Sequence, residues 1–239
     1  MATMRVWALE EEKGVKFFRF RPSADLNLIF FARSEFDSEL NYQQALRIFG
    51  IDKIFTLKQI HSNRVFYINR KNWQDKLVGD GIFTDEKNLA IGVRVADCLP
   101  IYIFSLKYKI IGIAHAGWRS TLAQISKNLV AGMISRFNIK PAELSFVFGP
   151  CIEQACYEVG LEVLSQFFNQ IPGSERFFVT RQRKIYFDLK GLNRFVLTEL
   201  GLTEFADLNY CTKCHPDLFY SVRRENTSKR NIAFVFLKE

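Results

Sequence analysis

The chain contains only three histidines and five cysteines, so each can be weighed by its neighbours. His61 sits in Lys58-Gln59-Ile60-His61-Ser62-Asn63-Arg64, a polar bend between two apolar runs. His115 ends an apolar run in Ala114-His115-Ala116-Gly117-Trp118-Arg119. Cys98 stands between two more, in Val95-Ala96-Asp97-Cys98-Leu99-Pro100. Loops at strand ends are where a rigid scaffold presents reactive groups. Two imidazoles and a thiol are a donor set for one transition metal. Cys98 with His115 would equally make a nucleophile and its base. The plainest reading is two satisfied polar side chains and one small buried thiol. The separations along the chain match no standard metal-ligand spacing, so residue types alone leave all three readings open.

The elements that must position these groups are mostly strands. Short apolar, β-branched and aromatic runs predict strands over 28–32, 53–58, 64–68, 91–95, 101–104, 110–114, 145–148, 184–187 and 232–236. One strong helical pattern covers 121–137, where Leu122, Ile125, Leu129, Met133 and Phe137 recur at helical spacing. A second helix is predicted over 160–168. A third follows Asp188 as N-cap, with Leu189, Leu192, Val196 and Leu200 on one face. Strands come in pairs and triplets rather than in strict βαβ alternation, which predicts an α+β fold with mixed sheets. No repeat, low-complexity tract or linker divides residues 1–239, so a single domain is expected.

Composition narrows the setting. Nearly half the residues are hydrophobic and 24 are phenylalanine, ample material for a large core. No apolar stretch approaches the roughly 18 residues of a membrane span. The N-terminal residues lack the apolar core and cleavage site of a secretory signal, which predicts a cytoplasmic protein. Cysteines there read as thiols, ligands or nucleophiles rather than a disulfide framework. The 33 basic residues outnumber the 25 acidic ones, but they are scattered. Their one dense group is Arg223, Arg224, Lys229 and Arg230, which suits an anionic small molecule or a solvated face as well as nucleic acid. Nucleic acid is therefore not the expected partner.

Lys58-Gln59-Ile60-His61, Ala96-Asp97-Cys98-Leu99-Pro100 and Ala114-His115-Ala116-Gly117-Trp118-Arg119 together strongly resemble the laccase-domain family. Its members were named multicopper polyphenol oxidoreductases and are described as zinc-dependent purine nucleoside enzymes. The resemblance continues through Gly79-Asp80-Gly81, Phe148-Gly149-Pro150-Cys151-Ile152, Tyr157-Glu158-Val159-Gly160 and Asp207-Leu208-Asn209-Tyr210-Cys211-Thr212. It ends at Asp217-Leu218-Phe219-Tyr220-Ser221-Val222-Arg223-Arg224, so the blocks span most of the chain in the family's order. One departure lies near the start: Ala32-Arg33-Ser34-Glu35-Phe36-Asp37-Ser38 keeps the family's arginine but lacks the glycines that follow it.

The resemblance implies one α+β domain with helices flanking a β-sandwich, and one zinc held by His61, Cys98 and His115. Three protein ligands leave a fourth tetrahedral position open, the pattern of a catalytic zinc. Such an ion acts as a Lewis acid or lowers the pKa of bound water toward about 7. Asp97, beside the cysteine ligand, is a candidate proton carrier; its alternative role is to fix the turn before Cys98. Arg33, Lys58, Gln59, Arg119 and Arg223 are candidate contacts to phosphate and to the polar edges of a nucleoside. The implied reactions are phosphorolysis of adenosine, inosine or methylthioadenosine and deamination of adenosine to inosine. The same ligand set would suit copper and phenol oxidation, yet three histidines cannot build a coupled multicopper cluster within this chain. A Cys98/His115 cysteine hydrolase uses only two of the three residues, and a binding module without catalysis uses none of the chemistry.

Cys214-His215 is a second departure; it completes Cys211-Thr212-Lys213-Cys214-His215, which reads as C-x-x-C-H, the c-type haem attachment pattern. Haem attachment needs export, for which the sequence has no signal. The run would also serve as a redox dithiol or as half of a structural zinc site that lacks its remaining ligands. An ordinary loop is the simplest expectation.

Overall fold

The strand Leu99–Ser105 shows how the molecule is layered. Successive side chains of a strand point to opposite faces. Ile101 and Ile103 accordingly enter one apolar core, while Tyr102 and Phe104 enter another. An uninterrupted apolar run is what a strand covered on both faces requires. In the computed structural model, which describes residues 6–33, 46–51, 53–72 and 77–239, this strand lies inside a six-stranded sheet. The order is Thr203–Asp207, Ser145–Phe148, Leu99–Ser105, Ile110–Ala116, Gly81–Thr84, Val65–Tyr67. A second six-stranded sheet runs Ala8–Glu12, Val15–Phe20, Leu26–Phe31, Asn231–Leu237, Ala90–Val95, Ile54–Thr56.

The two sheets share a core. Phe18, Phe30, Val93 and Val235 of one meet Tyr102, Phe104, Ile111 and Val147 of the other. The buried Tyr102 hydroxyl donates to the carbonyl of Ile29 at 2.8 Å, a polar link across the sandwich. Helices Ile125–Phe137, Leu161–Gln170 and Leu189–Glu199 cover the far face of the first sheet with Leu129, Met133, Phe167 and Leu192. Phe49 packs with Phe17, Phe234 and Phe236 on the far face of the second. Truncating one such fully buried ring to alanine costs about 3–5 kcal/mol, a large part of a domain's net stability of about 5–15 kcal/mol.

Both sheets are mixed: Val65–Tyr67 pairs parallel with Gly81–Thr84, and Ile54–Thr56 parallel with Ala90–Val95. The α+β arrangement expected from the sequence is the one observed, and each predicted strand has its counterpart. The sequence reading passed over Ala8–Glu12, whose Glu10-Glu11-Glu12 run belongs to an exposed edge strand. It also passed over Val15–Phe20, Gly81–Thr84, Phe178–Arg181 and Thr203–Asp207, several of them too short to show a pattern. The helix predicted over 121–137 is two helices, Trp118–Leu122 and Ile125–Phe137. Gln124 breaks it with a left-handed φ of 63°. Asn193 of the neighbouring helix holds the break open, donating to Thr121 Oγ1 at 3.0 Å and accepting from Ser126 Oγ at 3.2 Å. Asp188 is the expected N-cap, its side chain accepting the N–H of Gly191 at 2.7 Å. No helix among the described residues is long and apolar enough to cross a membrane.

Candidate metal centre

Strand register builds the site. Leu99 pairs with Ala116 across the hairpin of Leu99–Ser105 and Ile110–Ala116, so Cys98, one residue earlier, falls opposite Gly117. Gly81 pairs with Ala114 on the other side, which brings Asp80 beside His115. His61 comes from the loop after Leu57, clamped by the Lys58 N–H donating to the Leu77 carbonyl at 2.9 Å and the Gly79 N–H to the Lys58 carbonyl at 3.1 Å. One ligand atom each from His61, Cys98 and His115 then lies within 4.8 Å of the others. The two imidazole rings sit 4.7 Å apart, centre to centre.

Asp80, fully buried, organises the two histidines. Its Oδ1 faces His115 Nδ1 at 2.9 Å and accepts the backbone N–H of His61 at 3.1 Å. Its Oδ2 accepts the N–H of Ser62 at 2.6 Å and the Ser62 hydroxyl at 2.8 Å. These bonds hold His61 in a left-handed backbone, φ 58°, that a non-glycine residue rarely adopts unaided. A carboxylate on Nδ1 leaves Nε2 of His115 free to bind a metal, the usual arrangement behind a metal-bound histidine. Burial would raise the Asp80 carboxyl, but its bonds to His115 and Ser62 hold it down at about 2. Burial would lower His115, yet the Cys98 charge and the Asp80 bond hold it up at about 9. His61 is pushed down, by burial first and by the His115 charge second.

Gly117 completes the cradle. A Cβ there would lie 2.7 Å from His61 Nδ1 and 2.9 Å from Cys98 Sγ. Two nitrogens and a sulfur converging on one small space, with a carboxylate behind one ring, fit a tetrahedral zinc with one open position. The donor set argues against a multicopper cluster, because the third histidine, His215, packs edge-on against Tyr210 at 5.0 Å and does not line the cavity.

His61, Cys98 and His115 stand in a cavity of about 500 Å³ whose rim is cationic: Arg94, Arg119, Arg223 and Arg230 all line it. Trp118 and Tyr157 offer ring surfaces, with Arg119 lying 4.3 Å over the first and Arg223 5.0 Å over the second. Arg119 and Arg223, two of the candidate contacts from the sequence, line this cavity. Gln59 lines the cavity too, but its amide is engaged with the Arg94 backbone, accepting at 2.8 Å and donating at 2.9 Å. Lys58 and Arg33 do not line it. Arg33 pairs with Glu225 at 2.9 Å and stacks over Tyr220 at 4.8 Å. The glycine-poor segment after Arg33 lies outside the described residues.

Among the described residues that line the cavity, Asp97 is the only carboxylate, and each of its oxygens accepts a hydrogen bond. Oδ1 accepts from the Thr212 hydroxyl at 2.7 Å and Oδ2 from the N–H of Arg223 at 2.8 Å. Its own carbonyl accepts from Ile152 N–H at 2.9 Å, and its φ is 82°. This is the geometry of a residue that fixes the turn carrying Cys98. Sequence reasoning singled out neither Asp80, Arg94, Gly117 nor Tyr157 as a site residue. The signal for Asp80 was its setting between two glycines: a Cβ at Gly79 would meet the Arg64 carbonyl at 2.8 Å, and one at Gly81 would meet Val65 Cγ2 at 2.9 Å.

The model of the multi-copper polyphenol oxidoreductase laccase family matches residues 21–238. The chain belongs to this family. Among curated family relatives, the Bacillus subtilis purine nucleoside phosphorylase YlmD is 32% identical over 194 residues, covering 76% of this chain and 69% of that protein. A purine nucleoside phosphorylase of Borreliella burgdorferi is 30% identical over 222 residues, covering 89% and 93% of the two chains. The crystal structure of YlmD from Geobacillus stearothermophilus superposes with a TM-score of 0.86 over 98% of this chain and 100% of that one. At 23% identity that likeness is one of fold.

Proposed function

We propose that this chain is a metal-dependent purine nucleoside phosphorylase, cleaving a purine nucleoside with phosphate to free base and sugar phosphate. The observation that carries the reading is the conjunction of the His61/Cys98/His115 donor set with a rim of arginines in one cavity. The names of the relatives point the same way. Arginine suits a phosphate through planar, paired N–H donors that stay charged at any physiological pH. Arg94, Arg119, Arg223 and Arg230 would hold the phosphate, and Trp118 and Tyr157 would flank the purine. In the reaction a phosphate oxygen forms a bond to the anomeric carbon as the bond from that carbon to the purine nitrogen breaks. Zinc, when bound by His61, Cys98 and His115, would supply Lewis-acid stabilisation of the charge that develops.

Each Asp97 oxygen already accepts one hydrogen bond, from Thr212 and from the Arg223 N–H, which favours the turn-fixing role of Asp97 over proton transfer. Deamination of adenosine at the same site would need a proton carrier of the kind a glutamate supplies in zinc deaminases. Phosphorolysis, the reaction the relatives' names support, is the main activity proposed, with adenosine, inosine and methylthioadenosine as candidate substrates. The test is product analysis on these nucleosides with and without phosphate, in protein first stripped of metal and then reloaded with zinc. Free base and sugar phosphate should form only with both phosphate and zinc. Cleavage independent of phosphate, or a covalent adduct on Cys98 in active metal-free protein, would replace this reading with a hydrolase.

A further inference from the structure

Outside the cavity, three sulfurs converge. Cys211-Thr212-Lys213-Cys214 forms a turn in which the Cys214 N–H donates to the Cys211 carbonyl at 3.2 Å. Cys156, at the end of the turn Gln154–Cys156, places its Sγ 3.3 Å from that of Cys214. All three Sγ atoms lie within 4.8 Å of one another. Cys211 is buried, Cys156 half-buried and Cys214 exposed, so the group opens to solvent on one side. The Glu153 N–H donates to Cys211 Sγ at 3.5 Å. Backbone donors onto sulfur favour the thiolate over the thiol, and the thiolate is the form that ligates metal.

We propose that Cys156, Cys211 and Cys214 form a second metal site, taking one zinc ion through three thiolates. Zinc–sulfur bonds of about 2.3 Å put tetrahedral sulfurs roughly 3.8 Å apart, inside the 4.8 Å that contains all three sulfurs here. A disulfide between Cys156 and Cys214 would use two of the sulfurs and leave Cys211, with its Glu153 N–H donor, outside the bond. His215 does not supply a fourth ligand, since its ring packs against Tyr210 and Phe219. Water would complete the coordination, since the group is open to solvent at Cys214. The site has a structural consequence. Thr212 lies within the turn, and its hydroxyl donates to Asp97, the residue that precedes Cys98. Arg224 donates to the carbonyls of Thr212 at 2.7 Å and Lys213 at 3.1 Å, locking the same turn from outside. A metal closing this turn would therefore stiffen the segment that presents Cys98, while taking no part in the reaction.

This inference is independent of the proposed activity, and zinc alone tests it. The 239-residue chain, stripped and reloaded under reducing conditions, should hold about two zinc ions. The Cys156→Ser/Cys214→Ser variant should hold about one, as should the His61→Ala/His115→Ala variant. Zinc should also shield Cys156 and Cys214 of the unaltered chain from alkylation, read peptide by peptide, which does not depend on any variant folding. Cobalt loaded into the His61→Ala/His115→Ala variant should give an intense thiolate-to-cobalt absorption. Unchanged zinc content on replacing Cys156 and Cys214, full alkylation at saturating zinc, or a Cys156–Cys214 disulfide in the reduced and reloaded chain would each overturn the proposal.

Discussion

Asp80 Oδ1 lies 2.9 Å from Nδ1 of His115 and 3.1 Å from the backbone nitrogen of His61, so one oxygen orients one candidate ligand and anchors the loop of another. Every metal-binding property of the site should pass through this carboxylate. Asp80→Asn keeps the shape but replaces one acceptor with a donor facing N–H groups. Zinc affinity, measured by competition against a chelator, should fall about 10–100-fold. Unchanged affinity would mean that His115 is oriented by packing alone.

The same carboxylate sets an acid limit on the metal-free protein. Its folded pKa, about 2, is depressed below the unfolded value of about 3.9. A depressed carboxylate stabilises the fold above its unfolded pKa, and that stabilisation drains away as pH falls through the folded one. Denaturant midpoints of chelated protein should decline from roughly pH 4 toward pH 2, and the decline should be shallower in Asp80→Asn. Parallel curves for the two proteins would remove Asp80 from the acid response.

Asp97 is expected to act on structure rather than on the chemical step. Asp97→Asn can accept only one of the two bonds now made to Thr212 and Arg223, at a cost of about 1–3 kcal/mol for the partner left unmatched. The melting temperature and metal content should fall, while turnover per bound metal stays within a few-fold. A loss of about 10²-fold or more per bound metal would restore Asp97 as a proton carrier.

Gly117→Ala tests the cradle directly. The φ of −86° permits alanine, but its Cβ would press on His61 and Cys98 at 2.7 and 2.9 Å. Zinc content should drop sharply while the metal-free fold, followed by circular dichroism and melting, is retained. Full zinc occupancy would show that the two ligands can move aside.

Arg119→Ala probes the phosphate side of the proposed reaction. Loss of one charge-assisted hydrogen bond, about 1.5–3 kcal/mol, corresponds to about a 10–100-fold rise in KM for phosphate. KM for the nucleoside should change far less. Equal effects on both would place Arg119 at the nucleoside instead.

Much of this molecule is legible without coordinates, because strands and donor residues leave local marks. Runs such as Leu99–Ser105, apolar at nearly every position, announce a strand buried on both faces, and mixed pairs and triplets of strands announce α+β. His61, Cys98 and His115 stand out by type and by their place at strand ends. What the chain order could not show is which loops meet. His61 and Cys98 converge only because Lys58 bridges to Val78 and Leu99 pairs with Ala116, and pairing register is a property of the assembled sheet. The same holds for Asp80, whose role depends on Gly81 facing Ala114, and for Asp97, whose two oxygens are taken by Thr212 and Arg223 far along the chain. Cys156 gave no local hint of its nearness to Cys211 and Cys214. Residue type and periodicity are read along one dimension, and they determined the elements and the candidate donors. Contact between distant segments is decided by burial and hydrogen-bond pairing in three dimensions, and only the tertiary structure supplied it.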